Sequence, residues 1–316
     1  MQLTTAVFWT DRWRAQVGLD PRIAISLDGL SKEELGLVDS LTRAQEEPEV
    51  KLRARVAGIA PERLRSILSM LERAGVLVSP SAGIDHQPWR RIRNALPQRA
   101  GRHVHIARVD YLGAGIALAL ARCGIGMITT DDIGTVASND HPAMKAVGLG
   151  RTRSQALKTL LRREAPHIRF GKLDSGRRPD LAVVSGAYAS DPVTVGMLLG
   201  ESVPVYQAWI EEIDLYVGPL SIPHETACGS CLMLHREDLN PHWRTICRQA
   251  CSATALVPET TSAMMAISLA ARDIVAWFDG APAPDMWRVG PAPSVPEQLV
   301  LEPHSSCGCT ASHGAG

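Results

Sequence analysis

Short stretches of alternating apolar and polar residues open the chain and then give way to helical spacing. Residues 14–20 and 22–28 alternate around Asp20-Pro21, which predicts two strands joined by a turn. Ser31-Lys-Glu-Glu34 has the spacing of a capping box, and Leu35, Leu37, Val38 and Leu41 fall on one face of the helix it starts. After a charged stretch, Pro61 stands in the first turn of a second predicted helix, with Leu64, Ile67, Leu68 and Leu71 at helical spacing. Gly75 ends that helix and Val76-Leu-Val78 reads as a strand. Residues 1–80 are therefore expected to form a winged-helix-type α+β module.

From residue 103 the pattern changes. A strand over 103–109, a glycine turn at Leu112-Gly-Ala-Gly115, a helix over 116–123 and a strand over 124–132 make a βαβ unit ending in Asp132. A helix over 153–165 and buried strands over 167–170 and 180–185 extend the alternation. Such alternation implies a mostly parallel, Rossmann-like sheet with helices on both faces. The apolar helix predicted over 261–278 reads as buried or dimer-forming. Residues 81–102, rich in proline, glycine and arginine around Trp89-Arg-Arg-Ile-Arg93, read as a solvated linker between the module and a second domain over 103–316.

Composition narrows the classes. The 316 residues carry no formal net charge, and 45% are hydrophobic, enough for two cores. Zero net charge gives no general attraction to nucleic acid. The 61–74 helix mixes Arg63, Arg65 and Arg73 with Glu62 and Glu72, which lacks the basic face of a DNA reader. The longest apolar run, 112–128, is broken by Arg122 and four glycines, so no membrane span is expected. Seven cysteines without a secretory leader point to a reducing cytoplasm.

Four of those cysteines form two tight pairs, Cys228-Gly-Ser-Cys231 and Cys307-Gly-Cys309. Thiolates two or three residues apart can face one ion, and two such pairs complete a tetrahedral four-thiolate shell for structural zinc. Disulfides are the alternative for the same spacing. His224, His235 and His304 lie close enough in sequence to support the shell from outside. Cys247 and Cys251 are spaced for one helical face and read as part of a buried helical stripe with Ile246 and Ala250, a redox or metal pair being the alternative.

The turn after the first strand of the second domain bears on catalysis. It reads Ala107-Arg-Val-Asp-Tyr-Leu-Gly-Ala-Gly115, in which Asp110 and Tyr111 stand where glycines would admit phosphate to the backbone. No P-loop, Gly-x-Ser-x-Gly or His-Glu-x-x-His pattern occurs.

The βαβ with Leu112-Gly113, Gly124-Ile-Gly126 and Asp132, the Val136-Ala-Ser-Asn139 segment, Pro179-Asp180-Leu and the paired cysteines together resemble ThiF/E1-like adenylyltransferases. The segment 226–243 and the ending His304-Ser-Ser-Cys-Gly-Cys309 resemble actinobacterial ThiF-like proteins of azole and thiopeptide (TOMM) biosynthesis, with Ser305 in place of the usual proline. The resemblance implies a recognition element over residues 1–80. That element would bind the leader of a ribosomally made precursor peptide, with Ile23, Ile25 and Leu27 on a strand edge and Leu64, Ile67, Leu68 and Leu71 on a helix. It also implies a YcaO-type cyclodehydratase or similar partner, and homodimerisation. Active members of the family keep a glycine-rich turn, a second aspartate where Gly134 stands, and an arginine after the Ser-Asn segment, where this chain has Asp140-His-Pro. Gly113 and Asp132 are then vestiges of a nucleotide site, ATP is disfavoured, and a non-catalytic binding role is expected. The alternative is an adenylyltransferase that activates a peptide or carrier-protein carboxylate through a degenerate turn.

Overall fold

A computed structural model describes residues 1–11, 14–78, 99–174, 176–253 and 256–309. The chain divides into two compact units, residues 1–97 and 98–316. Most of the segment read as a solvated linker, including Trp89, lies outside the described residues.

In the first unit, β1 (Gln2–Leu3) pairs with β5 (Leu77–Val78), and β2 (Val7–Trp9), β3 (Ala15–Val17) and β4 (Ile25–Leu27) form an antiparallel meander with Val17 opposite Ile25. Three helices follow the meander: α1 (Lys32–Ser40), α2 (Glu47–Val56) and α3 (Pro61–Arg73). The Ser31 hydroxyl accepts from the Glu34 N–H, and the Glu34 side chain accepts from the Ser31 N–H, so the capping box forms as its spacing predicts. Leu35, Val38, Leu41, Leu64, Ile67 and Leu71 close the core. Arg63 of α3 donates to the Glu34 carboxylate and to the Gly29 carbonyl, which holds the start of α3 beside the residues that follow β4.

Helix α2 occupies the stretch read only as charged. Glu, Lys, Leu, Arg and Ala are strong helix formers, and Pro48 sits in the first turn. Only Val50 and Ala54 of this helix are buried, so the apolar period that would reveal it is faint.

The second unit is built on one eight-stranded sheet. Its strands are β6 (His103–Ile106), β7 (Met127–Thr129), β8 (Arg169–Gly171), β9 (Leu181–Ala187), β10 (Val205–Glu211), β11 (Asp214–Ser221), β12 (Met286–Val289) and β13 (Glu297–Leu299). Their order across the sheet is β13-β12-β11-β10-β9-β6-β7-β8. The five strands from β10 to β8 are parallel, while β11, β12 and β13 extend the sheet antiparallel. The expected parallel sheet is present, and its antiparallel half is an addition that the strand–helix alternation did not announce.

Its helices are α4 (Tyr111–Arg122), α5 (Pro142–Val147), α6 (Arg153–Glu164), α7 (Pro192–Gly200), α8 (Gly229–Leu239), α9 (Trp243–Ser252) and α10 (Thr260–Phe278). Helices α4 and α10 pack closely through small residues: a methyl on Gly115 would lie 2.3 Å from Ile267 Cδ1. Every residue of β9 is buried, as befits a strand covered on both faces. Buried Arg99 pairs with buried Asp279 at the end of α10. No helix among the described residues is long and apolar enough to cross a membrane.

Candidate functional site

Helix α4 follows β6 toward β7, whereas α7 follows β9 toward β10 on the other side of the sheet, so the strand order reverses between β6 and β9. The carboxyl ends of strands at such a switch point are where open α/β sheets place ligands. A cavity of about 1260 Å³ lies there. Arg108, Asp132, Arg153 and Ser185 line its sheet side, and α9, Ser230 and residues 306–308 line the other.

The turn after β6 is tighter than its glycines suggested. Helix α4 begins at Tyr111, five residues before the predicted 116, and Asp110 is its N-cap. The Asp110 carboxylate accepts from the Gly113 N–H at 2.9 Å and from the Ser185 hydroxyl at 2.7 Å. The carboxylate thus takes the place at the helix N-terminus that would suit a phosphate. Burial pushes the Asp110 carboxyl above the usual range, while the bonds from Gly113 and Ser185 draw it back. A methyl on Gly113 would lie 2.0 Å from the Arg108 carbonyl oxygen, so its glycine serves the close approach of loop and helix. Tyr111 does not stand in a phosphate cradle; its ring is buried edge-on against His141, 5.3 Å away.

Asp132 is committed to the protein. Its carboxylate accepts from the Val109 N–H at 2.8 Å and from the Gly134 N–H at 2.7 Å. An arginine from another place in the chain reaches Asp140. Arg153, at the start of α6, grips Asp140 with bonds of 2.9 and 2.7 Å and lies 3.6 Å from Asp132. The Ser-Asn segment carries no sign of it because the arginine is thirteen residues downstream of Asp140.

The paired cysteines meet. Cys228 caps α8 and Cys231 sits in its first turn. Sulfur separations are 3.9 Å for Cys228–Cys231, 3.6 Å for Cys228–Cys307 and 3.4 Å for Cys231–Cys309. A tetrahedral shell with bonds of about 2.3 Å sets its sulfurs about 3.8 Å apart, so the four thiols fit a single metal ion. None of the seven cysteines is in a disulfide. A methyl on Gly229 would come within 2.5 Å of Val195 Cγ1, so this glycine lets the metal loop settle against α7.

Two histidines latch the tail to α8 rather than touching the sulfurs. His235 bonds to the Glu302 carbonyl at 2.9 Å, and His304 bonds to Asp238 at 2.9 Å. His224 stands in a turn with φ of 66°.

Arg236 fastens α8 and α9 over the sheet. Its guanidinium holds Glu211 by two 2.7 Å bonds and lies over the rings of Tyr216 and Trp243. Cys247 and Cys251 of α9 both face the cavity, so the pair is not only a core stripe. Sequence reading missed Ser185 and Arg248 in the cavity wall, because residues from separate elements converge there with no shared spacing.

The groove residues proposed in the first unit divide by burial. Leu27, Leu64, Ile67 and Leu71 are inside its core and have no surface to offer a peptide. Ile23, Ile25 and Leu68 remain partly exposed. Helical spacing marked the inward face of α3, and a strand's period of two put Leu27 inward as well.

The chain matches no known protein-family profile and no curated protein. Solved structures share its fold. E. coli MccB with ATP aligns at 14% identity and a TM-score of 0.59 over 98% of both chains. The microcin C7 biosynthetic enzyme MccB in complex with N-formylated MccA aligns at 14% and 0.59 over 98% of this chain and 99% of that one. PaaA aligns at 13% and 0.59 over 94% and 98%. The chain therefore shares the fold of these proteins.

Proposed function

We propose that this protein is a non-catalytic binding protein that captures the leader of a ribosomally synthesised precursor peptide and presents it to a modifying enzyme of the YcaO cyclodehydratase type. The observation that carries this reading is the Asp110 carboxylate at the N-terminus of α4, where nucleotide phosphate would need to lie. It is supported by the shared fold of an enzyme solved with its peptide MccA.

In this reading the leader adds as a strand to the edge of β4 that is unpaired among the described residues, with its backbone paired to Ile25–Leu27 and its apolar side chains on Ile23, Ile25 and Leu68. Zinc is the metal for Cys228, Cys231, Cys307 and Cys309. It supplies no reaction here, only a closed tetrahedral tie between α8 and the tail.

The adenylyltransferase reading is favoured by the cavity at the switch point with Arg108 and Arg153 in its wall, and by the shared fold of MccB solved with ATP. Two measurements on the full chain separate them: polarisation of a labelled leader, and ATP–pyrophosphate exchange with the precursor. Leader binding without exchange is expected. Peptide-dependent exchange would establish the adenylyltransferase instead, and absence of leader binding would overturn capture.

A further inference from the structure

Cys247 and Cys251 lie one turn apart on the same face of α9, and both sulfur-bearing side chains line the cavity. They differ in access: Cys247 is buried at 1% exposure, whereas Cys251 is partly exposed. Arg108 lines the same cavity from the sheet side. Neither belongs to the four-thiol metal cluster.

We propose that Cys247 and Cys251 form a peroxide-reactive dithiol whose oxidation to a disulfide reshapes the wall of the cavity. The accessible Cys251 is the attacking group. The neighbouring Cys247 first, and the charge of Arg108 after it, draw the Cys251 thiol below the usual range against burial and the opposing charge of Asp191. The Cys251 thiolate displaces hydroxide from hydrogen peroxide and becomes a sulfenic acid. The Cys247 sulfur then attacks the Cys251 sulfur, the S–O bond breaks, and the oxygen leaves as water with the Cys247 proton. The two thiols lose two electrons, and the peroxide is reduced to two waters once its hydroxide is protonated.

The helix sets the mechanical result. Side chains four residues apart on a helix have β-carbons about 5–6 Å apart, whereas a disulfide holds them at about 3.5–4.5 Å. Closing the bond must therefore tighten the last turn of α9, which ends at Ser252. Arg248 and Ser252 belong to that turn and to the cavity wall, so they move with it. A bond closed against helix geometry is strained and readily reduced, as suits a reversible switch.

Trypsin makes the test direct. Cleavage after Arg244, Arg248 and Arg272 puts Cys247 on peptide 245–248 and Cys251 on peptide 249–272. The zinc-loaded full chain is treated with equimolar hydrogen peroxide, blocked with N-ethylmaleimide, digested and examined by mass spectrometry. The expected product is the two peptides joined and lighter by two hydrogens, separated again by dithiothreitol. Before oxidation, N-ethylmaleimide should label Cys251 at least tenfold faster than Cys247. In Cys247→Ser the intermediate should persist on Cys251 as a dimedone adduct. Recovery of both wild-type peptides as separate maleimide adducts, or Cys251 linked to any of the four cluster cysteines, overturns the proposal without recourse to the variant.

Discussion

The Ser185 hydroxyl donates to the Asp110 carboxylate at 2.7 Å, and that bond ties β9 to the first turn of α4. The same carboxylate caps the helix through Gly113, so a single buried side chain joins the two halves of the sheet at their switch point. Asp110→Ala removes the cap and leaves Ser185 with only the Arg108 carbonyl, 3.2 Å away. The expected cost is about 1–2 kcal/mol, read from urea melts, with Asp110→Asn losing less because an amide oxygen still caps.

Metal removal should be felt through the tail. Cys309→Ser takes away one of four thiolates, and the variant is expected to purify with far less zinc than one ion per chain. Loss of the site should cost on the order of several kcal/mol, since the unfolded chain holds no preformed shell. Metal analysis beside a thermal melt checks both, and unchanged zinc and melting in the variant would refute the assignment.

Peptide capture can be tested at one exposed position. Leu68→Glu puts a charge on the partly exposed flank of α3 and is expected to weaken leader binding about tenfold, equivalent to about 1.4 kcal/mol. Phe8→Glu, on the exposed strand β2 at the opposite edge of the meander, should leave the affinity as it was. Equal losses from both would point away from the β4 edge.

Stability should fall on mild acidification. His103, His105 and His141 are each held below the usual imidazole value of 6.5, first of all by burial. Their folded pKa is depressed, so the unfolded chain takes up protons first as pH drops. Stability is then full above 6.5 and is lost as pH falls from there toward the lower folded values. Each histidine contributes a slope of at most about 1.4 kcal/mol per pH unit in that window. Urea melts across it check the sign, and a flat profile would contradict it.

What the sequence disclosed depended on whether a local spacing carried the information. Leu35, Val38, Leu64, Ile67 and Leu71 declared their helices by period, and all are core. The four cluster cysteines declared their site by adjacency. The capping role of Asp110 went unread, although Asp is among the residues favoured at a helix N-cap. Arg153 could not be assigned to Asp140 by any spacing rule, because only the packing of α6 brings it there. Antiparallel β11 to β13 went unread because the alternation of strand and helix stops before them.

The tail that carries Cys307 is also part of the cavity: Ser306, Cys307 and Gly308 line it. One segment therefore serves two equilibria, metal capture and whatever guest the cavity admits. Thermodynamic reciprocity follows. Whatever factor a guest against residues 306–308 puts on the affinity for the ion, the ion must put the same factor on the affinity for the guest.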